Sequence, residues 1–150
     1  MTTHVESVSA TIPAPADAVF GILADPQQHP RIDGSGTVRA TIAGPERLSQ
    51  GATFGMSMKQ GAPYRITSTV IEFEEGRRLA WRHPLGHVWR YVLEPVDGGT
   101  LVTESFDYST VGAVRRAFLV VGGFPRKNRR GMQQTLLRLT GAAVADGSSA

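Results

Sequence analysis

The apolar residues of this chain recur with two different periods. Over 16–24, 112–121 and 125–144 they lie three or four positions apart, which is typical of amphipathic helices. A further short helical turn is expected over 27–32. Elsewhere the apolar residues alternate with polar ones, which is typical of half-buried strands, over 4–12, 37–43, 52–59, 63–74, 77–83, 87–96 and 100–109. The predicted order is a strand, two short helices, six strands and a helical end.

Strands that are segregated from helices along the chain indicate an α+β fold. Loops of two or three residues that contain glycine join the later strands, so these strands are expected to be antiparallel neighbours. A curved antiparallel sheet with one long apolar-faced helix has to close on that helix to bury its inner face. We therefore predict a single domain over residues 1–145 and a disordered tail over 146–150.

The hairpin loops predict which side chains meet, because loop length fixes the register of a hairpin. The expected loops are Glu75-Gly76, Pro84-Leu85-Gly86 and Gly98-Gly99. The predicted strands over 52–59 and 63–74 are expected to pair so that Phe54, Met56 and Met58 lie opposite Ser68, Ile66 and Tyr64. The other predicted pairs are Val70 with Trp81, Trp81 with Trp89, Leu79 with Tyr91, Tyr91 with Phe106, Trp89 with Tyr108, and Leu93 with Glu104.

These pairs place aromatic and apolar groups on one face together with a few polar ones. Ser68, His83 and Glu104 fall on this face, and inward polar groups cost free energy unless they are paired or wet. Apolar walls with a few polar groups are typical of a ligand pocket, and a packed core is the alternative. The residues predicted to contact a ligand are Phe20, Phe54, Met56, Met58, Tyr64, Ser68, Val70, Trp81, His83, Trp89, Tyr91, Phe106, Tyr108, Phe124, Met132 and Leu136.

Three residues on this face are candidates for acid–base catalysis. His83 comes first, because the ordinary pKa of histidine suits proton transfer near neutral pH. Tyr64 is expected at an apolar rim opposite Met58. Glu104 is expected on the row of Arg77, with which it would form an ion pair. The predicted register separates His83 from Glu104 by six residues, about 20 Å, so these two do not form a dyad.

Neither a metal nor a cofactor is expected. His83 and His87 are predicted to be cross-strand neighbours, but the register supplies no third ligand. The chain contains no cysteine, which excludes thiolate nucleophiles, disulfides and cysteine-ligated metals. Phosphate-binding loops, nucleophile elbows and zincin motifs do not occur in the sequence.

The net charge of +3 hides a basic C-terminal third. Residues 108–145 contain seven basic residues and no acidic one, a pattern that suits nucleic acid, a membrane surface, an anionic ligand or a solvated helix face. Nucleic-acid binding is not expected, because the basic residues of 126–130 spread around a helix without interleaved aromatics. No apolar run reaches the ~20 residues of a membrane span and no signal peptide is visible. A cytoplasmic monomer or homodimer is expected.

Several segments of the chain have the pattern of a known family. They are Ile12–Phe20, Leu23–Pro26, His29-Pro30, Asp33–Gly36, Phe73–Trp81, Trp89–Pro95, Gly99-Thr100, Thr103-Glu104 and Phe124–Gly131. On these segments the chain resembles the START-like SRPBCC superfamily, most closely its polyketide cyclase/dehydrase-like branch, over about residues 4–143. This resemblance implies a helix-grip fold, in which a sheet of about seven strands wraps around the C-terminal helix. One departure is Ile32, where relatives often place tryptophan.

Members of this superfamily share a pocket and not one chemistry, since they include lipid carriers, hormone receptors and aromatase/cyclases. The leading hypothesis is therefore a module that binds a hydrophobic, aromatic or polyketide- or lipid-like small molecule between the sheet and the C-terminal helix. A polyketide cyclase or dehydratase that uses a pocket acid or base is the alternative. A third class is a protein that acts only as a structural or interaction partner.

Overall fold

The computed structural model describes residues 4–148, except for the side chains of residues 41, 42, 60 and 148. These residues form four helices, α1 (Ala16–Leu23), α2 (His29–Ile32), α3 (Ala113–Val121) and α4 (Phe124–Ser148), with a 3-10 turn over Pro26–Gln28. They also form seven strands, β1 (Val5–Ile12), β2 (Val38–Ala43), β3 (Thr53–Gln60), β4 (Ala62–Glu74), β5 (Arg78–Arg82), β6 (Val88–Val96) and β7 (Gly99–Asp107).

All seven strands belong to one antiparallel sheet in the order β1-β7-β6-β5-β4-β3-β2. Strands β2 to β7 form a meander, and β1 closes the sheet by pairing with β7. The long helix α4 packs against β1 and β7 and also contacts α1 and α2. The α+β class and the curved sheet on a long C-terminal helix are thus confirmed. Within the described residues, no helix is both long and apolar enough to cross a membrane.

Helix α4 continues further than the sequence indicates. It ends at Ser148, so residues 146–148, which were expected to belong to a disordered tail, are helical; residues 149–150 lie outside the described part of the chain. Asp146 forms an ion pair with Arg31, with 2.9 Å between Nη2 and Oδ1. Both side chains are about half exposed, so this pair connects α4 to α2 but adds little to stability.

Most of the predicted register is confirmed. Trp81 pairs with Trp89 and Leu79 with Tyr91, and β3 and β4 pair as expected. Val70 also pairs with Trp81 as predicted, but the turn and the strand that produce this pair differ from the prediction. The β4–β5 turn takes up Arg77, which would shift the pairs by one residue, and a bulge at Ile71 reverses that shift before Val70 is reached.

The register of β6 and β7 differs from the prediction. Val96 pairs with Gly99, so the turn residues are Asp97 and Gly98 and not the two glycines. The reason is steric. A side chain at Gly99 would place its Cβ 2.0 Å from the Ile12 carbonyl oxygen, so the second glycine serves the contact between β7 and the end of β1.

This correction moves every β6–β7 pair by two residues. Trp89 faces Phe106 and not Tyr108, and Tyr91 faces Glu104 and not Phe106. Leu93 faces Val102 and not Glu104. Because the shift is even, each side chain stays on its predicted face of the sheet, and only its cross-strand partner changes.

Candidate ligand-binding cavity

A cavity of about 660 Å³ lies between the inner face of the sheet and the helices. Its walls come from β3 to β7 on one side and from α2, the loop after α2, the end of α3 and the start of α4 on the other. This volume falls in the range of 300–1,000 Å³ that is usual for small-molecule sites. The sheet is therefore covered by α4 only in part, and the remainder of its inner face surrounds space.

Twelve of the sixteen residues predicted to contact a ligand line this cavity. The other four, Phe20, Val70, Tyr108 and Leu136, are buried in the hydrophobic core and do not line it. Contact of the lining residues with a ligand stays a prediction. The twelve are Phe54, Met56, Met58, Tyr64, Ser68, Trp81, His83, Trp89, Tyr91, Phe106, Phe124 and Met132.

One wall of the cavity is an aromatic cluster around Trp81. The Trp81 ring stacks on the His29 ring with 5.0 Å between centroids and meets the edge of Phe54 at 5.5 Å. His29 is held in place because its Nε2 donates to the Leu23 carbonyl oxygen at 2.8 Å. Burial lowers the pKa of His29, so this ring is neutral and acts as a flat, rigid part of the wall.

A second histidine pair lies at the end of the cavity next to the β5–β6 hairpin. The rings of His83 and His87 stack with 4.3 Å between centroids, and His87 meets the Phe106 ring at 5.1 Å. The Nδ1 atom of His83 accepts from the Leu85 N–H at 3.1 Å. Nδ1 of His87 is buried without a hydrogen-bond partner, and burial, with a smaller contribution from His83, lowers the pKa of His87 to about 3.

The histidine pair does not amount to a metal site in the described part of the chain. Residues 4–148 contain no group of three or more histidine, aspartate and glutamate side chains arranged to hold a metal ion. Since the ring faces of His83 and His87 stack on each other, the pair supports aromatic packing. Burial also lowers the pKa of His83, so both rings are neutral at pH 7.

His87→Phe is expected to make the protein less sensitive to acid. A buried neutral histidine stabilises the fold above its unfolded pKa near 6.5, and this stability is lost as the pH falls toward the folded value of about 3. Between pH 7 and pH 5 the contribution of His87 to the free energy of unfolding decreases by about 2 kcal/mol. Urea unfolding at both pH values should show a smaller decrease in the variant than in the wild type; equal decreases would contradict the neutral, buried ring.

Glu104 is the buried acid of the cavity. It is 3% exposed on β7 and is hydrogen-bonded to the side chain of Tyr91 on β6, while its Oε1 atom has no partner. Burial raises the pKa of Glu104 to about 8; the Tyr91 hydroxyl acts against this shift, and the charge of Asp33 adds to it. Burial likewise raises the pKa of Tyr91. Near neutral pH the carboxyl group is therefore mainly protonated.

The predicted ion pair between Glu104 and Arg77 is wrong. The two-residue correction of β6–β7 takes Glu104 off the row of Arg77, whose side chain is exposed in the β4–β5 turn. The same correction reduces the offset between Glu104 and His83 from six residues to four, about 13 Å. These two groups therefore remain too far apart for direct proton transfer.

The loop of residues 33–36 forms part of the cavity wall next to α4. The Asp33 carboxylate accepts hydrogen bonds from the backbone N–H groups of Ser35 and Val38, which folds the loop on itself. Gly34 lies directly against α4 and donates its N–H to Oγ1 of Thr135 at 2.9 Å. A Cβ atom on Gly34 would lie 2.3 Å from the Thr135 nitrogen, so only glycine fits this contact.

Several cavity residues were not among the predicted ligand contacts. His29 and Ile32 are on α2, Gly34 is in the loop after it, and Arg130 is on α4. Strand alternation carries no information about these helices and loops. The available signals were His29-Pro30, Asp33–Gly36 and Phe124–Gly131, which contributed to the family resemblance without indicating which of their side chains face inward.

The geometry defines a sheet that grips a long helix and encloses an apolar cavity with a few buried polar groups. The sequence profile of the polyketide cyclase/dehydrase and lipid transport family matches residues 3–143. The chain therefore belongs to this family, within the SRPBCC superfamily.

Related proteins support the same fold. The chain is 43% identical over 138 residues to the uncharacterized protein Rv0088 of Mycobacterium tuberculosis. The match covers 89% of this chain and 62% of that protein, so this chain spans less than two thirds of the length of this relative. The AHSA1-like protein of Aeromonas hydrophila is similar in structure, with 23% identity, coverage of 95% and 94%, and a TM-score of 0.69. The polyketide-cyclase-like protein Cgl2372 of Corynebacterium glutamicum is also similar in structure. Its sequence identity is 22%, the match covers 93% of this chain and 90% of that protein, and the TM-score is 0.59.

Proposed function

We propose that the protein binds a hydrophobic small molecule with a planar, aromatic or polyketide-like part in the cavity. The observation that carries the proposal is the cavity wall, in which Trp81, Trp89 and Phe106 surround about 660 Å³ of space. Flat apolar ligands bury a large area against such rings and gain edge-to-face or stacked contacts as well. The family description, which includes lipid transport, supports a hydrophobic occupant.

Glu104 gives this ligand a polar anchor. Glu104 lines the cavity and its Oε1 atom is buried without a partner, so the protonated carboxyl group offers a hydrogen bond to a carbonyl or hydroxyl oxygen. Leaving a buried polar group unpaired costs free energy. A ligand oxygen that forms a hydrogen bond with Glu104 would remove this cost and so favour binding. We therefore propose a largely apolar ligand with at least one oxygen function.

Titration with planar apolar fluorophores tests the proposal, because both tryptophans lie on the cavity wall and report binding by quenching. We expect saturable quenching in the wild type. In Trp89→Ala the affinity should fall by at least about tenfold, since the ligand loses a large apolar contact, while Trp81 still reports binding.

Phe73→Ala is the matched control. Phe73 packs edge-on against Phe20 in the core and does not line the cavity, so its truncation removes a large ring without removing a ligand contact. Thermal melts establish that both variants are folded at the temperature of the titration. Absence of quenching in the wild type with every planar probe would contradict the proposed pocket, and equal loss of affinity in both variants would show a general loss of structure.

A cyclase or dehydratase is the alternative, and the raised pKa of Glu104 is the observation that favours it. A general acid or base works best when its pKa lies near the working pH, and a buried carboxyl group with a pKa of about 8 meets this condition. Glu104 therefore replaces His83 as the first candidate for the acid–base residue. Burial moves the pKa of His83 away from neutrality, and Tyr64 is more than one-third exposed at the rim.

Mass spectrometry of a bound polyketide-like compound separates the two functions. The compound is incubated with the protein, released by denaturation and compared with the starting material. Recovery of a compound with unchanged mass and unchanged chromatographic retention supports a carrier or sensor, because ring closure without loss of water keeps the mass and changes only the retention. Loss of water or ring closure that disappears in Glu104→Gln supports the enzyme, because glutamine keeps the shape of the side chain but cannot exchange the proton.

A further inference from the structure

Helix α3 presents an apolar surface to solvent. None of its residues is buried, and Val114, Phe118 and Val121 are 73%, 74% and 88% exposed. These three positions follow the spacing i, i+4 and i+7, so their side chains form one stripe along the helix. Leu119 faces the other way, toward the core and the cavity. A short helix that leaves its largest apolar side chains outward is unusual for a protein surface and marks an interaction site.

The tip of the β5–β6 hairpin lies next to α3. Arg115 on this helix donates from Nη1 to the Leu85 carbonyl oxygen at 3.2 Å. Leu85 itself is about half exposed. We call Val114, Phe118 and Val121 the α3 patch.

Uncompensated positive charge lies on α3 and on the first turns of α4. Seven basic residues and no acidic residue occur in 108–145. Within the described part of the chain, Arg115, Arg116, Arg126, Lys127 and Arg130 form no ion pair with a carboxylate. The guanidinium groups of Arg115 and Arg116 bind backbone carbonyl oxygens instead, which leaves their charge unbalanced.

We propose that the α3 patch docks the protein on the surface of an anionic lipid bilayer. Exposed Phe and Val side chains would enter the boundary between headgroups and acyl chains, and the arginine and lysine side chains of α3 and the first turns of α4 would contact anionic headgroups. Nucleic acid offers no counterpart for an outward Phe118 and Val121, whereas a bilayer accepts apolar groups and cations together.

The docked orientation would bring the cavity to the bilayer. Leu119, Phe124 and Lys127 belong to the same stretch of chain and line the cavity. A lipid-like occupant would therefore have a short path between the membrane and the cavity. The docking surface itself does not depend on what the cavity binds, so the two proposals are tested separately.

Vesicle sedimentation with the ligand-free chain tests the docking. We expect the wild type to sediment with vesicles that contain phosphatidylglycerol and to remain in solution with pure phosphatidylcholine. Raising NaCl from about 0.1 M to about 0.5 M should weaken the binding by screening the charges. The double variant Phe118→Asp, Val121→Asp should reduce the partition coefficient by about tenfold or more. Because both side chains are exposed, we expect this variant to melt at the wild-type temperature.

Leu137→Asp is the matched control, since Leu137 is an equally apolar, 65% exposed residue on α4 outside the α3 patch. It should bind vesicles like the wild type. Absence of wild-type binding to either vesicle, equal binding to neutral and anionic vesicles, or equal loss in Leu137→Asp would each overturn the proposal. Sedimentation velocity supplies a further outcome: a dimer that the double variant abolishes would show that a second copy of the chain covers the α3 patch, and this too would overturn it.

Discussion

Replacing Glu104 with glutamine is expected to raise the free energy of unfolding by about 4 kcal/mol at pH 8 and to change it little at pH 4. The carboxyl group has a pKa of about 8 in the fold and an ordinary value of 4.5 in the unfolded chain. The native state therefore holds a proton that the unfolded state releases between these pH values, so stability is full below pH 4.5 and is lost as the pH rises toward 8. Glutamine has the shape of the protonated acid and does not titrate.

Urea unfolding at pH 4, 6 and 8 measures this effect, with the difference between variant and wild type growing as the pH rises. Glu94→Gln is the control, because Glu94 is an exposed carboxylate on β6 and its replacement should have the same small effect at every pH. If Glu104→Gln followed the wild type at all three pH values, the Glu104 carboxylate would have to be solvated or paired in the native protein, and its role as an unpaired polar anchor would be lost.

This expected gain in stability has a functional implication. Buried acids with strongly shifted pKa values are enriched at functional sites. Glu104 stands on a cavity wall beside Tyr91, and not inside the closed core, where an apolar residue would pack better. The buried acid is thus a residue of the cavity wall, which agrees with its proposed role as a polar anchor.

The sequence contained enough information for the faces of the sheet but not for every pair across it. Alternation places Glu104, Tyr91 and Trp89 on the inner face whichever turn joins β6 to β7, because turns that differ by two residues in register preserve the face. The choice between Asp97-Gly98 and Gly98-Gly99 depended on the distance from Gly99 to Ile12. That contact lies 87 residues away along the chain, and local turn propensities do not encode it.

The β4–β5 hairpin was predicted correctly at Val70 and Trp81 for an incomplete reason. The turn and the bulge at Ile71 each shift the register by one residue, and their effects cancel before Val70. Bulges of this kind leave no dependable pattern in a single sequence, because the extra residue can be of many types.

The sequence predicted the wall of the cavity that the strands form, but not the opposite wall. The strands identified its aromatic wall, since an inward Trp or Tyr follows from alternation. Helix α2 and the loop of residues 33–36 complete the opposite wall, and their contacts depend on how closely α4 approaches them. Without the tertiary packing, nothing distinguished an ordinary turn at Gly34 from a glycine required by a neighbouring helix.

Gly34→Ala is therefore expected to destabilise the protein by about 3 kcal/mol, the upper part of the usual cost of overpacking together with a lost hydrogen bond. The added methyl group would lie 2.3 Å from the Thr135 nitrogen and 2.5 Å from the Gln134 carbonyl carbon. Both are backbone atoms of a long helix that cannot rotate aside. The loop has to move away from α4, which breaks the bond from the Gly34 N–H to Oγ1 of Thr135 and weakens the one from Arg138 to the Asp33 carbonyl oxygen.

Gly141→Ala provides the control for this prediction. Gly141 is an exposed residue within α4, and a Cβ atom there has no neighbour within 4 Å, so alanine should stabilise the helix by up to about 1 kcal/mol. Urea unfolding measures both variants, and titration with a planar fluorophore should show weaker binding only in Gly34→Ala, because Gly34 lines the cavity. Wild-type stability in Gly34→Ala would mean that the loop does not rest on α4 in solution. The cavity would then be open on the side where the structure closes it, and the proposed pocket would lose one of its walls.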